Sequence, residues 1–128
     1  MSHSFVEHVG AHIVESGSGT SLLTLTMQPH HRNLHGVAHG AVLFTLADTG
    51  MGTALYPTLE PHEACSTIEV KIAYFRPVTG GEIECRSSLV YRGRSTASLE
   101  SSLTVDGVLV SRATGTFAIH KRPAAPEG

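Results

Sequence analysis

The residues around position 48 have the types and spacing that catalysis requires. Asp48 is a lone carboxylate in the apolar run AVLFTLADTG. Burying such an acid is costly unless a partner pairs it or the chemistry needs it. Burial would raise the affinity of this carboxyl group for its proton, or the carboxylate would bond a water or a hydroxyl group. A carboxylate in either state could act as a general base or as a nucleophile. The alternatives are that Asp48 faces solvent or bonds Thr45 or Thr49.

His39 and Gly40 directly precede this run and lie where the predicted helix begins. A helix N-terminus presents unpaired N–H groups and a partial positive charge. A glycine there lets a ligand carbonyl approach its N–H with no Cβ in the way. The pair could therefore form an oxyanion site, or Gly40 could simply join a loop to the helix. Asn33 could orient a water or a carbonyl with its amide, or cap a turn.

The elements that must position these residues follow from the periodicity. Apolar residues recur at helical spacing from about 39 to 56, and Pro57 ends that helix. Alternating or β-branched runs predict six strands: 11–17, 20–28, 65–75, 82–92, 95–105 and 108–119. The segments PVTGG, RGR and DG supply turns between the later strands. This order predicts an α+β fold, with an antiparallel sheet packed against one long helix.

Composition narrows the classes of function. The chain has 128 residues, which suits one domain over residues 1–128 with a core at about 11–119 and a frayed tail at 121–128. A net charge of −2 and 5% aromatic residues argue against a nucleic-acid partner, and no apolar run is long enough to cross a membrane. Cys65 and Cys85 form no disulfide framework, and no signal peptide is visible. We therefore expect a cytoplasmic protein.

The joint pattern Asn33-x5-His39-Gly40-x7-Asp48, continued by LADTGMGTAL and a strand-rich second half, resembles the hotdog-fold acyl-CoA thioesterases. The resemblance is nearest to the branch with phenylacetyl-CoA and 4-hydroxybenzoyl-CoA thioesterases. It implies a hotdog fold, in which the sheet wraps around one central helix. It also implies hydrolysis of an aromatic or medium-chain acyl-CoA to the free acid and CoA.

The resemblance implies a role for each residue of the pattern. Asp48 takes the place of the catalytic carboxylate, as base or nucleophile, and the Gly40 N–H polarises the thioester carbonyl. His39 supports Gly40, and Asn33 holds water or the carbonyl from the opposite side. Thr67 matches a hydroxyl residue that helps to hold the attacking water. Such a site needs no metal or cofactor.

The resemblance also implies substrate contacts and an assembly. The expected contacts with CoA or the acyl group are Arg76, Gly93, Arg94, Ser95, Thr96, Phe44 and Met51. The expected assembly is a homo-oligomer, a dimer of dimers, with the carboxylate from one subunit and the Asn/Gly arm from the other. Two residues depart from the family: Ala41 replaces a second glycine and is expected to narrow the acyl pocket, and Gly52 replaces a threonine that some members have one turn after the acid.

Three other interpretations remain open from the sequence. His31, His35 and His39 are four residues apart and would form a zinc site on a helix, although Pro29 and Gly36 disfavour helix there. A hydratase or dehydratase could use His39 with Asp48. A non-catalytic acyl-CoA-binding module would bind the same ligand without releasing thiol.

Overall fold

The computed structural model describes residues 4–123. The predicted frayed tail at 121–128 lies mostly outside the described residues, and Lys121 ends the last strand. Across the described part of the chain, no helix is both long and apolar enough to cross a membrane.

The long helix, α2, runs from Gly40 to Leu55, as the periodicity predicts. His39 is its N-cap: the backbone there is extended, and the His39 Nδ1 atom accepts a hydrogen bond from the Ala41 N–H at 3.0 Å. The helix ends in a 3-10 turn that contains Pro57. Half of its residues are buried against the sheet: Val42, Leu43, Leu46, Ala47, Gly50, Met51, Ala54 and Leu55.

Six strands form one antiparallel sheet, and their bounds agree closely with the predicted runs. They are β1 Ala11–Gly17, β2 Thr20–Thr26, β3 Glu63–Tyr74, β4 Glu82–Arg92, β5 Thr96–Val105 and β6 Val108–Lys121. The order across the sheet is β1-β2-β4-β5-β6-β3. Helix α2 packs against this sheet and contacts every strand.

The segment that joins β3 to β4 is not the simple turn that PVTGG suggests. Strand β3 pairs with β6 at one edge, whereas β4 pairs with β2 and β5. The connecting segment is held by other parts of the chain, because the Phe75 N–H donates to Val110 O and the Val78 carbonyl accepts from the Ala38 N–H. Val78 itself is buried. These anchors carry the chain across the sheet and leave β3 as an edge strand.

Side chains of the sheet hold α2 close through its backbone. Ser21 Oγ donates to Gly50 O at 2.7 Å, and Ser101 Oγ donates to Ala47 O at 3.2 Å. Burial raises the pKa of the Cys85 thiol to about 11, so the thiol stays protonated and donates to Leu46 O at 3.4 Å. These bonds fix the segment of α2 that carries Asp48.

A short helix near the N-terminus, α1 (Ser4–Val9), has no counterpart in the sequence prediction. Its Val6 is buried, and the His31 Nε2–H donates to Val9 O. The His31 Nδ1 atom accepts from the Gln28 N–H at 2.9 Å, so this buried histidine is neutral and ties α1 to the loop before α2.

Candidate active site

The structure brings Asp48 and Thr67 together. Thr67, on β3, donates its hydroxyl to the Asp48 carboxylate at 2.8 Å. Asp48 is partly exposed and therefore has the hydroxyl partner that the sequence allowed. The alternative partners were Thr45 and Thr49. Thr45 instead donates to Ala41 O at 2.8 Å, and within the described residues no hydrogen bond joins Thr49 to Asp48. The pair faces a cavity and is not hidden in the core.

This cavity, which we call the carboxylate cavity, has a volume of about 490 Å³. It runs beside α2 between α1, β1 and β3. Its lining surface is mainly apolar and includes several Ser and Thr side chains: Val6, Ile13, Ser16, Asp48, Thr49, Gly52, Thr53, Tyr56, Cys65, Ser66, Thr67 and Phe117. Its volume falls within the range of small-molecule sites.

Gly40 lies at a second cavity, the amide cleft, of about 390 Å³. The Gly40 N–H, in the first turn of α2, has no hydrogen-bond acceptor within residues 4–123. The cleft is lined by Asn33, Val37, Ala38, Gly40, Leu43, Tyr74, Phe75, Arg76, Pro77 and Val78. An unpaired N–H at a helix N-terminus is a ready donor to a developing negative charge.

Asn33 caps its own loop and also borders the amide cleft. Its Oδ1 atom accepts from the His35 N–H at 2.8 Å and from the Val37 N–H at 3.3 Å. The turn-capping alternative is therefore correct for the side-chain oxygen. Its amide N–H donors have no partner within the described chain, and they remain available to a ligand.

Tyr74, which the sequence analysis missed, packs directly on Gly40. The Tyr74 hydroxyl donates to Gly40 O at 2.8 Å. A Cβ added to Gly40 would lie 3.1 Å from the Tyr74 ring, so a larger residue there would require the ring to shift by a few tenths of an ångström. Burial raises the pKa of Tyr74, which keeps the hydroxyl protonated. The contact joins the end of β3 to the start of α2, and only the folded chain reveals it.

The two halves of the predicted site do not meet in one chain. Gly40 and Asp48 are about 12 Å apart along the axis of α2. A carboxylate and an oxyanion donor must both come within about 3 Å of one reacting group. One chain therefore presents these residues as two half-sites that face different cavities.

Three residues with a predicted place at the acyl pocket are located differently from the expectation. Met51 is fully buried in the core, so its assignment as a substrate contact is wrong: the buried stripe of α2 includes position 51. Phe44 is 38% exposed but lines neither cavity of the single chain. Ala41 is exposed and also lies outside both linings, so nothing in one chain makes it narrow an acyl pocket. Ile13, Tyr56 and Phe117 supply the apolar surface instead.

The predicted CoA contacts lie at opposite ends of β3. Arg76 follows the end of the strand and borders the amide cleft. The turn 93–96 lies by the start of the strand, since Arg92 bonds Glu63 at 2.6 Å. The strand between these ends spans about 36 Å. Arg94, Ser95 and Thr96 are exposed, and the Gly93 N–H closes the turn on Thr96 O.

The three histidines of the zinc hypothesis do not converge. Residues 29–31 form a 3-10 turn followed by a loop, not the helix that would stack them. His31 is buried with both ring nitrogens bonded to backbone, and His39 caps α2. Among the residues that the structure describes, no cluster of three metal-ligating side chains is found.

Comparison with known proteins defines the class. The thioesterase superfamily model matches residues 35–110, which is more than half of the chain. A Haemophilus influenzae protein named "Putative esterase" is 31% identical over 96 residues, which are 73% of this chain and 68% of that protein. The chain therefore belongs to the thioesterase superfamily, and it is a hydrolase that acts on thioester bonds.

Solved structures share the fold of this chain. The conserved protein PA5202 from Pseudomonas aeruginosa is 34% identical, with a TM-score of 0.86 over 94% of this chain and 96% of that chain. A mutant of the phenylacetic acid degradation protein PaaI from Thermus thermophilus is 30% identical, with a TM-score of 0.83 over 90% of this chain and 97% of that chain. The predicted hotdog fold, with its sheet around one long helix, is thereby confirmed.

Proposed function

We propose that this protein hydrolyses an aromatic or medium-chain acyl-CoA to the free acid and CoA, with Asp48 as the catalytic carboxylate. The observation that carries the proposal is the Asp48–Thr67 pair, set at a mainly apolar cavity of about 490 Å³. The mainly apolar cavity suits an acyl group. The thioester carbonyl attached to that group would then lie beside the Asp48 carboxylate. The likeness to a phenylacetic acid degradation protein supports the aromatic choice.

We propose that two copies build each active site. Strand β3 lies at the edge of the sheet, so its outer side offers unpaired backbone groups to a second copy. Its Ile68 is 57% exposed and would be covered in such a pair. Antiparallel pairing of two β3 strands about a two-fold axis between Val70 and Lys71 would set Tyr74 of one copy opposite Thr67 of the other. Gly40 of one copy would then approach Asp48 of the other.

The same pairing unites the proposed CoA contacts. It carries Arg76 of one copy to the start of β3 in the other, beside the turn 93–96. Arg76 and Arg94 would then offer positive charge to CoA phosphates, and the exposed hydroxyls of Ser95 and Thr96 would add hydrogen bonds. Such dimers would pair further into the expected dimer of dimers. The two free cysteines fit a reducing, cytoplasmic location.

In the proposed reaction, Asp48 removes a proton from a water that attacks the thioester carbonyl, the carbon–sulfur bond breaks, CoA leaves as a thiolate, and the acid is released. In the alternative route Asp48 attacks that carbon itself, CoA leaves as a thiolate, and the mixed anhydride that forms on Asp48 is then hydrolysed by water to release the acid. Thr67 holds the carboxylate and the water in place. General-base assistance of this kind contributes about 10²–10⁴-fold to the rate.

The amide cleft supplies the stabilisation of charge. The Gly40 N–H donates to the carbonyl oxygen as it becomes negative, and one such donor lowers the barrier by about 3 kcal/mol. The free amide N–H groups of Asn33 orient the carbonyl or the water from the other side. His39 acts through structure, because its cap on the Ala41 N–H fixes the first turn of α2.

The test is continuous release of free thiol from acetyl-, hexanoyl-, decanoyl-, phenylacetyl- and hydroxybenzoyl-CoA. We expect Asp48→Asn to lower kcat by about 10²–10⁴-fold, because the amide cannot act as base or nucleophile. The matched control is Asp106→Asn, in the β5–β6 turn, where φ is +50° and asparagine is well tolerated. We expect this variant to keep wild-type activity.

Two outcomes would contradict the proposal. A folded Asp48→Asn variant with wild-type kcat would remove Asp48 from the chemistry. Tight binding of one acyl-CoA without thiol release would instead favour the non-catalytic binding module.

A further inference from the structure

The interior of helix α2 contains two neighbouring glycines with different reasons to be there. Glycine weakens a helix interior relative to alanine, so each one requires an explanation. For Gly50 the explanation is packing: an added Cβ would lie 2.5 Å from Ser87 Oγ, on the side where α2 meets the sheet. Its carbonyl also accepts the Ser21 hydroxyl.

Gly52 has no such packing reason. An added Cβ would meet only the edge of the Phe117 ring, at 3.7 Å, which is an ordinary van der Waals distance. Its backbone is that of a regular helix, without the positive φ that favours glycine elsewhere in the chain. The protein itself therefore has room for a methyl group at position 52.

The space beside Gly52 is part of the carboxylate cavity. Gly52 lies one helical turn after Asp48 and lines the cavity beside the ring of Phe117. The cavity continues along α2 past Thr53 to Tyr56, about 12 Å from Asp48 along the helix axis. A group that extends along α2 from Asp48 toward Ile13 and Tyr56 would pass beside Gly52.

We propose that Gly52 is a specificity-determining residue that keeps this passage open for a bulky acyl group. The inference rests on the proposed function, and it commits the substrate to an uncharged acyl group larger than acetyl that extends past Gly52 toward Tyr56. The far lining of the cavity contains no lysine, arginine, aspartate or glutamate within the described chain. A charged acyl terminus would therefore find no side chain of opposite charge in that lining.

The experiment is Gly52→Ala, measured as kcat/KM for acetyl-CoA, phenylacetyl-CoA and decanoyl-CoA in the free-thiol assay. We expect kcat/KM for the two large substrates to fall about tenfold relative to acetyl-CoA, since one methyl group in a pocket discriminates on this scale. Thermal unfolding of the same variant should show a raised Tm, because alanine favours the helix and its Cβ meets no close contact. Gly50→Ala is the contrast, with an expected loss of Tm.

The outcomes separate this inference from the proposed function. An unchanged ratio of large to small substrates in Gly52→Ala would overturn the role of Gly52 and leave the thioesterase proposal intact. A lowered Tm or failure to fold would also overturn it, because the space would then be needed by the protein itself. Absence of thiol release from every substrate with the wild-type chain would overturn both.

Discussion

At the scale of single residues, the contact between Tyr74 and Gly40 positions the proposed oxyanion donor. The Tyr74 hydroxyl bonds the Gly40 carbonyl, and its ring covers the glycine. This contact fixes the first turn of α2, and with it the direction of the unpaired Gly40 N–H. Because an oxyanion donor works by preorganisation, Tyr74 is a positioning residue in the proposed mechanism.

Tyr74→Phe keeps the ring and removes the hydroxyl. We expect kcat to fall about fivefold with KM unchanged, the size expected for loss of about 1 kcal/mol from one neutral hydrogen bond. The measurement is steady-state thiol release, with Tyr91→Phe, a 67% exposed tyrosine on β4, as the matched control. An equal change in kcat for both variants, or a change in KM alone, would contradict the role.

The sequence predicts part of this site because part of it is local. Asn33, Gly40 and Asp48 are linked by fixed spacing, so a pattern can reveal them. Tyr74 is far from them in the chain, and no local signal points to its contact with Gly40. The assignment of Met51 is wrong because it rests on a separation of three residues from Asp48, and helical spacing alone does not say where the buried stripe ends.

At the scale of elements, an ion pair ties the start of β3 to the turn proposed to contact CoA. Glu63 accepts hydrogen bonds from the Glu60 N–H at 2.9 Å and from Arg92 at 2.6 Å. The Glu60 N–H bond lowers the pKa of Glu63 below its usual 4.5, and the Arg92 guanidinium lowers it further. The pair positions the hairpin that carries residues 93–96.

This pKa predicts a pH dependence of stability. A carboxyl with a lowered pKa in the folded state stabilises the fold above its unfolded pKa, and that contribution is lost as the pH falls through the folded pKa. We expect Glu63→Gln to lower the free energy of unfolding at neutral pH and to reduce its further decrease toward about pH 3.5. Urea unfolding at both pH values measures this.

The control for that prediction is Glu15→Gln, at an exposed position on β1. It should keep the wild-type difference between the two pH values. A Glu63→Gln variant with the full wild-type difference would show that Glu63 does not link pH to stability.

The elements themselves are largely predictable. Strand alternation and the helical run are local signals, and DG marks the β5–β6 turn, where Asp106 and Gly107 have positive φ. The position of β3 at the far edge is not predictable, because anchors such as Val78 are tertiary contacts. Helix α1 escapes prediction because six residues carry little periodicity, and its anchor, His31, is distant in sequence.

At the scale of the whole molecule, the proposed chemistry depends on two half-sites that one chain keeps apart. The carboxylate cavity holds Asp48, and the amide cleft holds Gly40, about 12 Å away along the same helix. The proposed two-fold pairing through β3 would bring a carboxylate of one copy to an amide of the other. The central claim is therefore that neither copy can act alone.

Two variants disable one half-site each. Asp48→Asn removes the carboxylate. Gly40→Pro removes the N–H donor at the first helical position, where proline fits, and His39 already has the extended backbone (φ −62°, ψ 137°) that a following proline requires. Gly40→Ala keeps the N–H and serves as the control for the added Cβ near Tyr74.

The most direct measurement is thiol release from a mixture of Asp48→Asn and Gly40→Pro chains that are unfolded and refolded together. Each mixed dimer would regain one intact site, so we expect about a quarter of the wild-type activity from chains that are inactive when refolded separately. Activity of the mixture no greater than that of the separate variants would contradict the shared site. It would mean that each chain assembles its own site by a movement of α2 or Gly40.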